Sequence, residues 1–241
     1  MTGVGGVTAI PSPNIWGDAR TYEIENLGVD PDGIVDAAIG SVADLSGSSV
    51  LDIGCGTGFH LPGFAQQAAR VLGVEPHPPL VRAARDRAAR ARAGDPGLAP
   101  IAVVQGGAQA LPLGAGSVDL AHARWAYFFG PGCEPGLAEL ARVVRPGGGA
   151  VVVDIDPSRS TFGGWFRSAY PSYDAAAVRR FWLRRGWTPT DVTLRWAFSS
   201  HEDFVAVLGL ELPPTVVASA VREAPTATGV DYGATVWWRR F

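Results

Sequence analysis

The sequence predicts an α/β fold in which a mostly parallel sheet is covered by helices on both faces. Short apolar runs alternate with helical stretches between residues 49 and 153. Strands that are apolar throughout are typical of a parallel sheet buried on both faces. The chain has 241 residues, of which 47% are hydrophobic. That length and composition fit one α/β domain with a small appended cap.

Five apolar runs are the predicted strands of this alternating region. Helical patterns follow the second run, at residues 80–93, and precede the fifth, at residues 136–144. Right-handed crossovers then bring the carboxyl ends of the strands to one edge of the sheet, where ligands of such folds bind. The predicted strands are residues 49–53, 71–74, 101–104, 118–121 and 149–153.

Both ends of the chain differ from this region. Residues 1–13 are rich in Gly, Thr and Pro, and we expect a mobile arm there. Asp30 and Pro31 predict the cap and the first residue of a helix that reaches about Leu45. Six of the eight Trp residues follow Asp154, and we expect this tail to complete the sheet. Its predicted elements are a helix over 174–185, a strand over 188–198, one or two helices over 201–222 and a strand over 234–241.

Composition argues against several classes of function. The formal net charge is -3, and all 20 Lys+Arg positions are Arg. Binding to a polyphosphate backbone relies on clustered positive charge, so we expect no nucleic-acid partner and interpret the arginines of residues 80–93 as a solvated helix face. Cys55 and Cys133 form no disulfide framework. The first 15 residues lack the basic start of a signal peptide and no run of 18 apolar residues occurs, so we expect a cytoplasmic protein that does not span a membrane.

The strongest motif is the strand and turn V-L-D-I-G-C-G-T-G at residues 50–58. Three glycines at alternate positions let the backbone turn sharply and approach a ligand more closely than a Cβ allows. The spacing argues against a dehydrogenase, because Phe59 stands where the third glycine of a dinucleotide fingerprint would fall. A P-loop is excluded because no Gly-Lys-Ser/Thr follows.

This motif resembles the first motif of class I methyltransferases that use S-adenosylmethionine (SAM), and the resemblance runs in order from Leu45 to Ile155. It implies a Rossmann-like, seven-stranded, mostly parallel sheet whose last strand is antiparallel. It also implies that the glycine loop passes under the methionine part of SAM and that Asp52 orients the cofactor's amine. We therefore expect an N-terminal arm and cap helix at 1–45 and a methyltransferase domain at 46–241, with 155–230 partly a substrate-side cap. The cofactor residues predicted from this motif are Asp52, Gly54, Cys55, Gly56, Gly58 and His60.

A second element, Gly73-Val74-Glu75-Pro76, ends the next strand. A carboxylate there can accept both hydroxyls of a ribose, as in dinucleotide folds. A surface glutamate before a turn is the alternative interpretation. The glycine loop that precedes this element favours ribose binding by Glu75, with Pro76 beside it.

Two further segments resemble the family's adenine and methyl regions. Gly107, Ala108 and Gln109 correspond to the adenine contacts, but the family usually has Asp where Gly107 stands, so Gln109 is a candidate substitute. Arg124, in the segment that leaves the fourth strand, is the last predicted cofactor residue. This segment, residues 123–129, lacks the Asn/Asp-Pro-Pro-aromatic signature of amino methyltransferases acting on planar nitrogens. It also lacks the carboxylate of metal-dependent catechol methylation, and we expect no metal site.

Catalytic groups have only weak candidates in the sequence. His60 follows the glycine loop directly, although helix capping or packing explains it equally well. Tyr127 follows the fourth strand, where an aromatic ring more often packs than titrates. His122 is interpreted as a core histidine. Asp154 and Asp156 could form a carboxylate pair, but their alternation along a strand favours a turn role near Pro157.

The sequence therefore predicts a SAM-dependent methyltransferase that acts on a small-molecule acceptor by in-line displacement. The sulfonium carries the chemistry in this family, so alignment and exclusion of water supply much of the rate. One alternative is a SAM-binding protein that transfers no methyl group, as a rearrangement catalyst or a partner subunit. The other is an RNA or protein methyltransferase. The acceptor, the methylated atom and the oligomeric state are left open.

Overall fold

The computed structural model describes residue 12 and residues 14–241, so all but Ser12 of the predicted arm lies outside the described residues. Within these ranges, seven strands form one sheet in the order β3-β2-β1-β4-β5-β7-β6. The sheet is mostly parallel, and the predicted Rossmann-like fold class is confirmed. The strands are β1 (Ser49–Ile53), β2 (Arg70–Glu75), β3 (Ile101–Gln105), β4 (Val118–Arg124), β5 (Val144–Ile155), β6 (Thr188–Ala197) and β7 (Gly229–Arg240).

Helices connect these strands and precede the first of them. In the described ranges they are α1 (Ala19–Gly28), α2 (Ile34–Val42), α3 (Leu61–Ala65), α4 (Pro78–Gly94), α5 (Glu134–Val143), α6 (Thr161–Ala169), α7 (Ala175–Arg184), α8 (His201–Glu211) and α9 (Pro214–Glu223). None of them is both long enough and apolar enough to cross a membrane.

Two compact units can be distinguished by their internal contacts. The first unit comprises residues 43–152 and 238–241, and the second comprises the described residues from 12 to 42 and residues 153–237. The domain boundaries predicted from the sequence stay predictions.

The core of the first unit forms around β1, which pairs in parallel with β2 on one side and with β4 on the other. Val50, Leu51 and Ile53 are each at most 1% exposed, and burial of such a side chain stabilises the fold by roughly 1.5–3 kcal/mol. Helix α4 buries Leu80, Val81, Ala84 and Ala88, a spacing that places one apolar stripe against the sheet.

The second unit has an aromatic core. Five of the six tryptophans that follow Asp154 are at most 8% exposed. The ring centroid of Trp182 lies 4.9 Å from that of Trp187 and 5.8 Å from that of Trp237. Trp196 stacks on Tyr232 at 5.0 Å. Large rings buried in contact contribute both apolar area and favourable ring geometry, so these tryptophans are core residues.

Two element boundaries differ from the predictions. Helix α2 begins at Ile34 instead of Pro31, because the carboxylate of Asp30 accepts hydrogen bonds from the backbone N–H groups of Ile34 and Val35, at 2.8 and 2.9 Å. Strand β5 begins at Val144, so it includes the segment 144–148 that lies before the predicted start at Gly149. Gly147 N donates to the carbonyl of Phe241 at 2.7 Å, and Phe241 N donates to Gly148 O at 3.0 Å. These reciprocal bonds pair the segment with the end of an antiparallel strand.

Candidate functional site

The turn after β1 holds the three glycines of the motif in left-handed backbone conformations. The φ angles of Gly54, Gly56 and Gly58 are +71°, +56° and +77°, a region that residues with side chains rarely adopt. A Cβ at Gly54 would lie 2.5 Å from the Cβ of Ala126, and a Cβ at Gly58 would lie 3.1 Å from Ala84. Both the turn and the close approach of neighbouring chain therefore require glycine here.

The loop is fixed against the end of β2. The backbone N–H groups of Gly54 and Cys55 both donate to the carbonyl of Val74, at 2.8 and 3.1 Å. Burial, followed by the negative charges of Asp52 and Glu75, raises the pKa of the Cys55 thiol well above its ordinary value. The thiol is therefore protonated and packs as a small apolar group.

Glu75, the last residue of β2, lies under the loop with 4% of its surface exposed. Its Oε2 accepts from Gly56 N at 3.1 Å and its Oε1 accepts from His77 N at 2.9 Å. Each carboxylate oxygen has two lone pairs, so each can accept one further hydrogen bond, which suits a diol. Burial raises the pKa of this carboxyl. Beside it, the Pro76 carbonyl accepts from Gln105 Nε2 at 3.3 Å.

The segment predicted to contact adenine follows β3. Gly107 and Ala110 form an antiparallel bridge, with Ala110 N donating to Gly107 O at 3.1 Å. A Cβ at Gly107 would lie 3.0 Å from Oε1 of Gln109, and Ala108 is 6% exposed. The side chain of Gln109 therefore occupies the space into which a carboxylate at position 107 would project.

A buried pair of polar side chains joins β1 to β4. Asp52 and His122 are 3% and 1% exposed and stand opposite each other in the register of the two strands. Oδ1 of Asp52 lies 2.8 Å from Nδ1 of His122. The ring of Phe64 packs at 4.9 Å from that of His122. Nε2 of His122 is buried and has no hydrogen-bond partner among the described residues.

His60 lies next to this pair, with its ring centroid 6.2 Å from that of His122. Burial lowers the pKa of His60 well below its ordinary value, and the charges of Arg124, His122 and Arg87 lower it further. The imidazole is therefore neutral at neutral pH, and it has a lone pair that can accept a proton.

The segment after β4 has a strained backbone. Trp125 and Tyr127 have φ angles of +47° and +52°, and such conformations cost roughly 1–3 kcal/mol each and concentrate at functional sites. The ring of Tyr127 lies against Gly136, where a Cβ would be 2.3 Å from Cε1 of the tyrosine. Burial raises the pKa of this phenol, so Tyr127 keeps its proton at neutral pH and is a weaker candidate base than His60. Arg124 is 7% exposed, with its guanidinium 6.0 Å from the Trp125 ring.

These residues gather at one edge of the sheet, because β1, β2, β3 and β4 are joined by parallel pairings that align their carboxyl ends. The predicted cofactor and catalytic residues all belong to the first unit. Sequence reasoning missed His122 as the partner of Asp52. The two are 70 positions apart, and only the register of the strands brings them together. The part of the chain that the structure describes brings together no cluster of three or more His, Cys, Asp or Glu residues that could hold a metal ion.

Comparison with known proteins connects this arrangement to a family. Residues 51–152 match the family model described as a methyltransferase domain. The chain is 30% identical over 162 residues to a demethylmenaquinone methyltransferase of Desulfitobacterium hafniense (strain Y51). The alignment covers 64% of this chain and 61% of that protein, so the chain spans about three fifths of that relative's length.

Solved structures share the fold at low sequence identity. A putative methyltransferase from Bacillus halodurans C-125 superposes with a TM-score of 0.62 at 15% identity, over 85% of this chain and 97% of that one. The cyclase SpnF superposes with a TM-score of 0.58 at 19% identity, over 87% and 81%. Because these neighbours have different names for their reactions, the fold by itself does not define the reaction.

Proposed function

Since the chain belongs to the class I SAM-dependent methyltransferases, we propose that it transfers a methyl group from SAM to a small-molecule acceptor by in-line displacement. The observation that carries the proposal is the relation between the glycine loop and Glu75. The backbone N–H of Gly56, one of three glycines with left-handed backbone conformations, donates to Oε2 of the buried Glu75 at 3.1 Å. The carboxylate of Glu75 has lone pairs left to accept from a ligand.

The residues of this site fit the groups of SAM. The glycine loop would lie beside the methionine part, and Asp52 would supply a carboxylate for its amine. Glu75 can accept the ribose diol, with Pro76 beside it. Gly107, Ala108 and Gln109 would border adenine, and Arg124 and His60 complete the set. When bound, SAM supplies an electrophilic methyl on a sulfonium, so most of the chemistry comes from the cofactor.

The chain's own residues then have the tasks of binding, orienting and excluding water. Asp52 is held in place by His122, which fixes where the cofactor's amine would sit. Neutral His60 can accept a proton from an acceptor that arrives protonated. Tyr127 holds the strained segment against α5 and does not titrate near neutral pH.

Calorimetry with SAM, S-adenosylhomocysteine and NAD tests the cofactor assignment. We expect micromolar binding of the first two and none of NAD. Incubation with methyl-labelled SAM and fractionated extract of the source cells then identifies the acceptor by what becomes labelled. NAD binding without SAM binding would contradict the proposal. SAM binding with no labelled product of any size would support the alternative of a SAM-binding protein that transfers no methyl group, and labelled RNA or protein would support the other alternative.

A further inference from the structure

Strand β3 is an edge of the sheet, because within the described part of the chain its strand neighbour, β2, lies on one side only. Val71 N of β2 donates to Pro100 O at 2.9 Å. Alternate residues of a parallel strand bond to the same neighbour, so the even-numbered residues of this strand bond to β2. An open edge can pair with another extended segment. The residues that direct their backbone N–H and C=O groups to the open side are Ile101, Val103 and Gln105.

Two arginines of α4 reach this open edge. Nε of Arg85 donates to the carbonyl of Val103 at 2.9 Å, which is the central carbonyl on the open side. Arg92, seven residues later on the same helix, donates to the carbonyl of Leu98 at 3.2 Å, shortly before the strand begins. A guanidinium has five N–H donors, so one such bond leaves donors for an anionic ligand. The edge of β3 therefore carries positive charge that a ligand can reach.

A cavity of about 170 Å³ lies between α4 and β3 and is lined by both arginines. The other described residues that line it are apolar, and none of them is acidic. A cavity of about 150 Å³ is large enough to hold benzene, so this one can take an apolar side chain of a partner. We call the residues that line it the β3 edge site: Arg85, Ala88, Ala89, Arg92, Ile101 and Val103.

The charge of the β3 edge site distinguishes between extended segments. A neutral strand that pairs at Val103 competes with Arg85 for the carbonyl and offers the guanidinium no replacement. A second copy of this chain, paired edge to edge, would bring its own arginines against these, and facing like charges are destabilising. A segment with carboxylates supplies charge-assisted hydrogen bonds, which are roughly twice as strong as neutral ones. Charge complementarity therefore favours an acidic segment over the other two.

The dimensions of the site define the pattern of that segment. Arg85 and Arg92 are seven residues apart on α4, which is about 10 Å along the axis of a helix. Side chains on one face of a strand recur every second residue, about 7 Å apart. Carboxylates at the first and fifth positions of a segment are then about 13 Å apart, a span that the long side chains of arginine and glutamate can match. The third position would face the cavity, so the expected pattern is Glu-x-Leu-x-Glu.

We propose that the β3 edge site is the docking surface for an extended acidic segment of a partner protein. The segment adds as a strand to β3, places an apolar side chain in the cavity and pairs its carboxylates with Arg85 and Arg92. Arg85 exchanges a neutral acceptor, the carbonyl of Val103, for a charged one, and the backbone of the segment takes the place of the guanidinium at that carbonyl. This inference goes beyond the proposed function and does not depend on it.

Calorimetry and amide hydrogen exchange on the full chain test the site with two capped peptides, TETLTET and TQTLTQT, which differ only in charge. We expect the acidic peptide to bind at least fivefold more tightly than the neutral one. At saturation it should slow the exchange of the Val103 and Gln105 amides at least fivefold, because these N–H groups point to the open side. The amides of Ala102 and Val104, which already bond to β2, should change little. Equal affinity for the two peptides, or protection that falls outside β3, would overturn the proposal.

Charge reversal on the protein tests the same pairing from the other side. The double variant Arg85→Glu, Arg92→Glu should lose the acidic peptide and bind TKTLTKT at least fivefold more tightly than TETLTET. Arg90→Glu is the matched control, because Arg90 is exposed on the same helix and is not among the lining residues; it should keep the preference of the parent. If the double variant does not fold, Arg85→Gln alone should weaken the acidic peptide at least threefold, and an unaffected variant overturns the site. Sedimentation of the parent as a dimer with β3 protected would assign the edge to a second copy and overturn the acidic partner.

Discussion

Nδ1 of His122 lies 2.8 Å from Oδ1 of Asp52, and the two residues stand opposite each other on the paired strands β4 and β1. Because the carboxylate is an acceptor, the proton of the imidazole sits on Nδ1. The pair is almost fully buried, with exposures of 1% and 3%. His122 therefore fixes the orientation of the carboxylate that we assign to the amine of SAM.

The first prediction tests this coupling. His122→Leu removes the donor to Asp52 and leaves a buried acceptor unpaired, which costs about 1–3 kcal/mol of the free energy of unfolding. We also expect weaker SAM binding, because the carboxylate is no longer held. A double-mutant cycle with Asp52→Ala, which removes the acceptor, isolates the pair by chemical denaturation and calorimetry. Additive effects of the two substitutions would mean that the residues act independently.

The second prediction concerns Glu75. Glu75→Ala removes the acceptor assigned to the ribose hydroxyls, and since hydrogen bonds to a charged group contribute roughly 1.5–3 kcal/mol each, SAM affinity should fall about tenfold or more. Glu75 also accepts from Gly56 N and His77 N, so thermal melting must accompany the calorimetry. Glu202→Ala at the exposed start of α8 is the control.

The same carboxyl predicts a pH dependence of binding. Burial raises the pKa of Glu75, and a protonated carboxyl is a poorer acceptor than a carboxylate. SAM affinity should therefore fall as the pH drops through this raised pKa, and the fall should be absent in Glu75→Gln. A Glu75→Gln variant with the same pH profile as the parent would contradict the assignment.

The third prediction concerns stability around Asp154. Burial raises its pKa to about 7, whereas an unfolded Asp titrates near 3.9. Between these two values the unfolded state is ionised and the folded state is protonated, so stability is lost as the pH rises from about 4 to about 7. The loss has an upper limit of about 4 kcal/mol at 1.36 kcal/mol for each pKa unit. The charge of Asp154 in turn contributes to the raised pKa of Tyr173.

Asp154→Asn removes this loss. Denaturation at pH 4.5 and pH 8 should show that the variant gains stability relative to the parent only at the higher pH. Asp86→Asn, on the exposed face of α4, should follow the parent at both values. The same difference between variant and parent at the two pH values would mean that Asp154 does not titrate in this range.

The fourth prediction is that RNA neither binds with a steep salt dependence nor competes with SAM-dependent turnover. The net charge is -3, and the arginines of α4 are partly engaged by the protein itself. Arg85 Nε donates to Val103 O at 2.9 Å, and Arg92 donates to Leu98 O at 3.2 Å. Filter binding at several salt concentrations is the measurement. An affinity whose logarithm falls linearly with that of salt would restore a nucleic-acid function.

Periodicity and turn chemistry were enough to predict the fold class and most elements of the first unit. The apolar run at 49–53 is β1 itself, and Asp174 and Gly186 bracket helix α7 as their residue types suggest. Helix α1 was missed because only Gly28 of its ten residues is buried, which leaves no apolar period to detect. Helix α6 was missed because its sequence, TFGGWFRSA, contains two adjacent glycines.

The residues of the site likewise separate into those that local sequence predicts and those that depend on long-range contacts. Gly54, Gly56, Gly58 and Glu75 are adjacent to their own strands, so local sequence is enough to predict where they lie. The pairing of Asp52 with His122 depends on strand register, which a single sequence does not encode locally. The difference between Asp154 and Asp156 depends on which carboxyl oxygen the fold buries without a hydrogen-bond partner among the described residues. Neither could be predicted from residue type and spacing.

The last prediction concerns Gly107, where the family usually has Asp. The φ angle of Gly107 lies outside the left-handed region, so a side chain is not excluded by backbone strain. Its Cβ would, however, lie 3.0 Å from Oε1 of Gln109. We therefore predict that Gln109 acts as the acceptor for the adenine amino group.

Two single variants and the double variant decide whether Gln109 replaces the family's carboxylate or the acceptor position is vacant. If Gln109 has taken over the role, Gln109→Ala weakens SAM binding severalfold, since a hydrogen bond contributes roughly 0.5–1.5 kcal/mol net. Gly107→Asp alone then gains little, because the new carboxylate crowds the amide. The double variant, calorimetrically compared with both, should recover the parent's affinity, because removal of the amide opens the space for the carboxylate. Tighter binding by Gly107→Asp alone would instead show a vacant acceptor position. Unchanged affinity in all three variants would remove this loop from the adenine site.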